Sequence, residues 1–156
     1  MTESSIHEPM KKRVLFICIH NSARSQMAEA WLNQICGTEF EAQSAGLEPG
    51  ALNPLVVEAM AQAGIDISKK GTQSVVDVLK SGQVFSYVIT VCDESSAEKC
   101  PVFPGPAIRL HWSFPDPSAL TGTHAQKLAT VVGIRDKIRA RIEAWCDEVC
   151  ATAKVG

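Results

Sequence analysis

The sequence predicts a three-layer α/β/α fold, in which a four-stranded parallel sheet lies between helices. Four short apolar segments, the candidate strands, alternate along the chain with helix-like segments, and this order favours a parallel sheet covered on both faces. The length of 156 residues suits one domain with a substantial core. No repeat, low-complexity run or Pro/Gly-rich linker divides the chain, so we expect a flexible tail over residues 1–11 and a single domain over 12–156.

The first half of the chain predicts two strands and two helices. Arg13–Ile17 is a short apolar run, typical of a strand buried on both faces. A helix is expected from about Ser25 to Ile35, where apolar residues recur at helical spacing. Glu39–Ser44 alternates as a strand does. Asn53–Pro54, a capping residue followed by proline, begins a second helix, and Gly64 ends it.

The second half predicts two more strands and two more helices. A short helix over Ser74–Leu79 precedes the apolar strand Tyr87–Val91, and another strand covers about Ala107–His111. A proline-broken stretch, Phe114–Ser118, follows. The last helix, about His124–Val149, carries one apolar stripe, formed by Leu128, Val131, Ile134, Ile138, Ile142, Trp145 and Val149.

Composition and charge exclude several classes of function. The net charge of −2 and the pI of about 6.1 give no electrostatic reason to expect nucleic acid or an acidic membrane surface as partner. No apolar run has the length of a transmembrane helix, and the polar N-terminus lacks the apolar core of a signal peptide. We therefore expect a cytoplasmic monomer, in which the six cysteines are reactive, metal-binding or plain core residues.

The strongest chemical signal lies between the first strand and the first helix. Ligands of parallel α/β folds bind at the carboxyl ends of strands, and Cys18 follows the first strand directly. Backbone N–H groups of a loop at a helix N-terminus can converge on one anion, and Arg24 supplies a planar fork for two oxygens of a tetrahedral anion. We therefore predict an oxyanion-binding loop formed by Cys18, Ile19, His20, Asn21, Ser22, Ala23, Arg24 and Ser25.

The same donors favour the thiolate form of Cys18 at neutral pH, which would make this residue a nucleophile. Ser25 can donate a hydrogen bond to the thiolate, and Asn21 can brace the loop. The alternative is a buried structural cysteine beside an unrelated surface arginine. His20 is either a titratable ring beside the anion or a solvent-facing loop residue.

The loop, the following residues Gln26–Glu29, the turn Ser44–Gly46 and the pair Asp116–Pro117 resemble the low-molecular-weight phosphatase family. The resemblance runs from Arg13 to about Val149 and is strongest to the arsenate reductases built on that fold. It implies that Cys18 attacks arsenate, with phosphate or sulfate as competing anions. His20 and Ala23 depart from the phosphatase pattern, which has a glycine and a second cysteine at these positions.

The resemblance also implies that Asp116 is the general acid for the leaving oxygen, although an Asp-Pro pair is common in surface turns. Phosphatases of the family carry an aromatic residue after this pair, to stack on phosphotyrosine. Ser118 stands there in this chain, which favours a reductase over a phosphotyrosine phosphatase.

Cys92 and Cys100 give a second reason to expect a reductase. Their seven-residue polar spacer is unlike the gaps of paired zinc cysteines, and a phosphatase needs neither thiol. The resemblance implies that Cys92 attacks Cys18 to release arsenite, that Cys100 then resolves this disulfide, and that thioredoxin reduces the Cys92–Cys100 pair. The alternative is two incidental loop thiols.

We expect no metal ion and no bound cofactor. Cys36, Cys146 and Cys150 are interpreted as structural thiols. In some relatives a monovalent cation lies behind the loop, at positions that match Asn21, Glu29 and Ser44, but the aspartate that completes the site has no counterpart in residues 71–75. Two other functions stay open: a phosphomonoesterase, which leaves Cys92 and Cys100 unexplained, and a non-catalytic oxyanion or redox sensor.

Overall fold

The described residues form four parallel strands and four helices. The structure is a computed structural model that describes residues 11–91, 105–117 and 120–155. In chain order the elements are β1 (Lys12–Cys18), α1 (Arg24–Cys36), β2 (Phe40–Gly46), α2 (Pro54–Gln62), α3 (Val75–Lys80), β3 (Tyr87–Thr90), β4 (Ile108–His111) and α4 (His124–Val155).

The sheet has the strand order β2-β1-β3-β4, and every pairing is parallel. Strand β1 is central, and its side chains alternate between two hydrophobic clusters. Val14 and Phe16 face the larger cluster, which includes residues of α1, α2 and α4, while Leu15 and Ile17 face a smaller cluster that contains α3 residues. Helices therefore cover both faces of the sheet, and the predicted three-layer fold is confirmed.

The predicted apolar stripe of the last helix forms the main contact of α4 with the larger cluster. Val131, Ile134, Ile138, Ile142 and Trp145 are buried. Trp145 lies in an aromatic group, with ring centroids 5.0 Å from those of both Phe40 and Tyr87 and 6.0 Å from that of Trp112. Helix α4 thus packs against residues of β2, β3 and the segment after β4 in a single core.

The observed boundaries differ from the predicted ones in a few places. Helix α4 continues to Val155 rather than ending near Val149, because no glycine or proline stands between Val149 and Gly156. Strand β2 extends to Gly46, where it pairs with Cys18 of β1. Strand β3 ends at Thr90, one residue earlier than expected. The predicted N-terminal tail lies outside the described residues, apart from Lys11.

The two capped helix starts follow the sequence closely. The Asn53 side chain accepts a hydrogen bond from the Leu55 N–H at 2.9 Å, with Pro54 at the first helical position. Ser74 caps α3 in the same way, through the Asp77 N–H at 3.0 Å. In the part of the chain that the structure describes, no helix is both long and apolar enough to cross a membrane.

Candidate active site

The loop between β1 and α1 turns its carbonyl groups away from its own centre. Four of these carbonyls accept hydrogen bonds from backbone N–H groups of the segment after β2: Cys18 from Leu47, Ile19 from Glu48, His20 from Gly50 and Ser22 from Asn53, at 2.8–3.3 Å. Among the described residues, none of the loop N–H groups from His20 to Ala23 donates to a backbone carbonyl. This arrangement leaves those N–H groups available to an anion at the N-terminus of α1.

Asn21 holds the bend of the loop. Its φ of 55° lies in the left-handed region, which asparagine tolerates better than most residues. The buried Gln26 side chain donates to the Asn21 backbone carbonyl at 3.1 Å and to the Gly71 carbonyl at 3.1 Å, and the Gln73 N–H donates to Asn21 Oδ1 at 3.0 Å. Hydrogen bonds with the Gln26 side chain of α1 and with residues 71–73 therefore hold the loop in position.

Gly46, the last residue of β2, passes very close to the loop. A Cβ atom on this residue would lie 2.8 Å from the Asn21 nitrogen and 2.8 Å from the Ile19 carbonyl oxygen, closer than a real Cβ comes to backbone atoms. A side chain at this position would displace the loop, so only glycine allows this packing.

The nucleophile expected from the sequence, Cys18, is buried and lies in a short chain of hydrogen bonds. The Cys18 Sγ is 2.9 Å from the Ser25 hydroxyl oxygen, which accepts a hydrogen bond from Asn21 Nδ2 at 2.8 Å. Because Asn21 donates to Ser25, the Ser25 proton is left to point at the Cys18 sulfur. A thiolate at Cys18 would be stabilised by that hydrogen bond, as the sequence predicts.

The Arg24 side chain is almost fully buried. Its Nη1 donates to the Phe114 carbonyl at 3.2 Å, and its Nη2 lies 3.9 Å from the Asp116 carboxylate. The buried Arg24 Nε has no hydrogen-bond partner among the described residues. A buried, charged donor without a partner is costly in a protein interior, and an oxyanion in the loop would supply the acceptor.

The segment after β4 carries Asp116 to the same site. Trp112 extends the β3–β4 ladder by donating its N–H to the Thr90 carbonyl at 2.8 Å, and the Arg141 guanidinium lies 4.7 Å from the centre of its ring. Phe114 is buried, whereas the Asp116 side chain is 45% exposed. The Asp116 carboxyl therefore lies between the buried Arg24 and solvent.

His20 is exposed at the outer side of the loop. Its Nδ1 lies 3.0 Å from the Glu48 carbonyl oxygen, the same segment that binds the loop carbonyls. Of the two interpretations offered by the sequence, the solvent-facing one fits this contact.

Cys92, Cys100 and Ser118 lie outside the described residues. The residue before Cys92, however, is described: the Val91 N–H donates to the Ile17 carbonyl at 2.9 Å, and Ile17 precedes Cys18. Val91, the last described residue before Cys92, therefore lies beside the end of β1, next to the residue that precedes Cys18.

The three other cysteines come together at the far end of α1 and α4. Burial, with hydrogen-bonding and charge effects from Cys36, raises the pKa of the Cys146 thiol. Cys150 donates to Glu39 at 2.9 Å, and this contact, with burial, raises the pKa of Cys150 to about 11. Cys146 and Cys150 therefore stay protonated at neutral pH. Among the residues the structure describes, no group of three His, Cys, Asp or Glu is arranged to hold a metal ion.

Sequence reasoning did not identify four parts of the site: the Gln26 side chain, the Gln73 amide, the Phe114 carbonyl and Lys70, whose ammonium forms an ion pair with the Glu29 carboxylate behind the loop. Gln26 is fully buried and belongs to the Gln26–Glu29 stretch on which the family resemblance partly rests, which is a signal that the sequence offers. The Phe114 carbonyl gives none, because every residue has one and only tertiary packing selects it.

The fold and the loop define a class of protein, and comparison with known proteins agrees. Residues 13–154 match the profile of the low molecular weight phosphotyrosine protein phosphatases, and the chain belongs to this family.

Within the family, the chain is similar to arsenate reductases. It is 42% identical over 139 residues to the arsenate reductase of Bacillus licheniformis, covering 88% of this chain and 96% of that protein. A solved arsenate reductase in a phosphate-binding state superimposes with a TM-score of 0.70 at 27% identity, over 88% of this chain and 98% of that one. A thioredoxin-dependent arsenate reductase of Corynebacterium glutamicum gives a TM-score of 0.57 at 29% identity, over 92% and 67%.

Proposed function

We propose that this protein is a thioredoxin-dependent arsenate reductase. The observation that carries the proposal is the meeting of Cys18, Arg24 and Asp116 at the carboxyl end of β1, around loop N–H groups that lack backbone acceptors among the described residues. Such a site suits a tetrahedral oxyanion, and the similarity to arsenate reductases selects arsenate over a phosphomonoester.

The first step forms a bond between sulfur and arsenic. The loop N–H groups and Arg24 hold the arsenate oxygens, and the Cys18 thiolate attacks arsenic. Asp116 gives its proton to the departing oxygen, which leaves as water. Arsenic is still in its +5 state in this adduct.

The second step transfers two electrons to arsenic. The Cys92 thiolate attacks the Cys18 sulfur, an S–S bond forms, and the S–As bond breaks with its electron pair left on arsenic. Arsenite departs in the +3 state, and the two thiols have become a disulfide. Val91, hydrogen-bonded beside Cys18, supports the assignment of Cys92 to this step.

The last step moves the disulfide from Cys18 and Cys92 to Cys92 and Cys100, where thioredoxin can reduce it. Cys100 attacks Cys92, releases the Cys18 thiolate and leaves a Cys92–Cys100 disulfide, which the thioredoxin dithiol reduces while it is itself oxidised. No bound cofactor is needed, because thioredoxin supplies both electrons. Phosphate and sulfate are expected to compete with arsenate for the loop, and a reducing cytoplasm suits these free thiols.

A coupled assay tests the proposal. Arsenite formation is measured with thioredoxin, thioredoxin reductase and NADPH, beside the hydrolysis of an aryl phosphate by the same preparation. We expect arsenite production that requires thioredoxin, and loss of all turnover in Cys18→Ser, because a serine hydroxyl stays protonated where a thiolate does not.

Cys36→Ser is the matched control, since this thiol lies away from the loop, and it should keep the wild-type rate. Aryl phosphate hydrolysis without arsenite formation would instead identify a phosphomonoesterase, and oxyanion binding without any turnover would identify a sensor.

A further inference from the structure

The resemblance to the phosphatase family implies a monovalent cation behind the loop, at positions matching Asn21, Glu29 and Ser44. The described residues do not fit such an ion, because hydrogen-bond donors of the chain already use these oxygens. The Gln73 N–H donates to Asn21 Oδ1 at 3.0 Å, and the Gln73 side-chain amide donates to the Ser44 carbonyl at 2.9 Å.

Glu29 is the charged member of this group, and it is satisfied on both oxygens. The residue is only 7% exposed. The Ser44 hydroxyl donates to its Oε1 at 2.7 Å, and the Lys70 ammonium contacts its Oε2 in an ion pair. A buried carboxylate needs a positive partner, and here the chain itself provides one.

Lys70 reaches Glu29 from the segment that fixes the loop. The Lys70 side chain is about one-third exposed, and burial lowers the pKa of this residue from its ordinary value. Direct contact with a carboxylate favours the charged ammonium. The next residue, Gly71, accepts from Gln26, and Gln73 binds Asn21, so the ion pair joins α1 to the residues that hold the back of the loop.

We infer that the Lys70 ammonium is a fixed internal cation behind the oxyanion loop, which gives the loop its binding geometry without a bound potassium ion. A potassium ion on the same oxygens would lie against the ammonium, and the two positive charges would repel each other. Lys70 is thus a positioning residue that acts on the anion through Glu29 and the loop. The inference rests on the oxyanion binding proposed above, but not on the reduction of arsenate.

The test follows oxyanion binding rather than turnover. Cys18 is alkylated in the presence of increasing inorganic phosphate, and its peptide is quantified by mass spectrometry, in potassium chloride or in choline chloride at equal ionic strength. The measured quantity is the phosphate concentration that halves the alkylation of Cys18. For the wild type, we expect this concentration to be the same in both salts. For Lys70→Met, we expect this concentration to rise about tenfold in both salts, within the range typical of coupling between two sites, because the Gln73 donors still use the Asn21 and Ser44 oxygens and leave no site for potassium.

Two variants separate this role from a general effect on stability. Lys69→Met removes the neighbouring, exposed lysine and should leave protection unchanged in both salts. Lys70→Arg keeps the charge and should retain most of the protection. Protection of the wild type that depends on potassium would overturn the inference, and so would a Lys70→Met variant that behaves like Lys69→Met. If Lys70→Met does not fold, the wild-type comparison of the two salts still decides.

A failure of the proposed function looks different. If the protein does not reduce arsenate, phosphate would still protect Cys18 from alkylation. The effect of potassium on that protection could then still be measured.

Discussion

At the scale of single residues, Arg24 belongs to the predicted oxyanion loop and also contacts the segment that carries Asp116. Its guanidinium is buried, donates to the Phe114 carbonyl and lies beside Asp116. The residue that we propose as the anion ligand therefore also holds the segment that carries Asp116, the proposed proton donor. A lysine would keep the positive charge that attracts an anion. It would lose the planar set of donors that serves both the anion and the Phe114 carbonyl.

Arg24→Lys should accordingly lose most oxyanion binding while it keeps the positive charge. We expect the phosphate concentration that half-protects Cys18 to rise at least tenfold, because hydrogen bonds to charged groups contribute about 1.5–3 kcal/mol each. Arsenite formation should fall in parallel. Arg139→Lys, on exposed α4 surface, is the control; equal protection in the two variants would show that the site binds only through charge.

The residues of the loop were largely predictable, whereas the residues behind it were not. Cys18, Asn21, Arg24 and Ser25 stand together in the sequence, so their contacts are local and their chemistry can be recognised from residue type. Lys70 contacts Glu29 from a distant segment, and a lysine among polar residues gives no sign of such a partner. Contacts of that kind depend on tertiary packing, which periodicity does not report.

At the scale of elements, β1, the loop and α1 work as one unit that the segment after β2 holds in shape. Helix α1 begins at Arg24 without a side-chain cap, in contrast to α2 and α3, which begin with Asn53 and Ser74. A helix N-terminus that lacks a cap leaves its N–H groups to an external acceptor. The absent cap is therefore consistent with an oxyanion at this end of α1.

Gly46→Ala should damage this unit without touching the reactive groups. The added Cβ would lie 2.8 Å from two backbone atoms of the loop, so the loop must shift, and a displacement of about 1 Å can cost roughly 10²-fold in rate. We expect a loss of that order in kcat/KM for arsenate, with phosphate protection of Cys18 also weakened.

Gly50→Ala is the matched control. Its Cβ would meet only the His20 Cβ, at 3.7 Å, an ordinary contact, and activity should stay close to that of the wild type. If Gly46→Ala were as active as Gly50→Ala, the close approach of β2 would not constrain the loop.

At the scale of the whole molecule, the parallel sheet brings together groups that lie far apart in the chain. The alternation of strands and helices was enough to predict the fold class and to place Cys18 just past the carboxyl end of one strand, with Asp116 a few residues beyond another. It did not give the strand order, which depends on how the helices pack. With β1 between β2 and β3, the N–H of the residue before Cys92 donates to the carbonyl of the residue before Cys18, and this contact supports the proposed relay.

The most direct measurement of the relay is a single turnover of the Cys100→Ser variant with arsenate, followed by peptide mapping under non-reducing conditions. If Cys92 attacks first and Cys100 resolves, this variant should release one arsenite per chain and then stop, with Cys18 joined to Cys92. Cys92→Ser, the matched variant, should release little arsenite and show no Cys18 disulfide. A Cys100→Ser variant that turns over with thioredoxin at the wild-type rate would contradict the proposed relay.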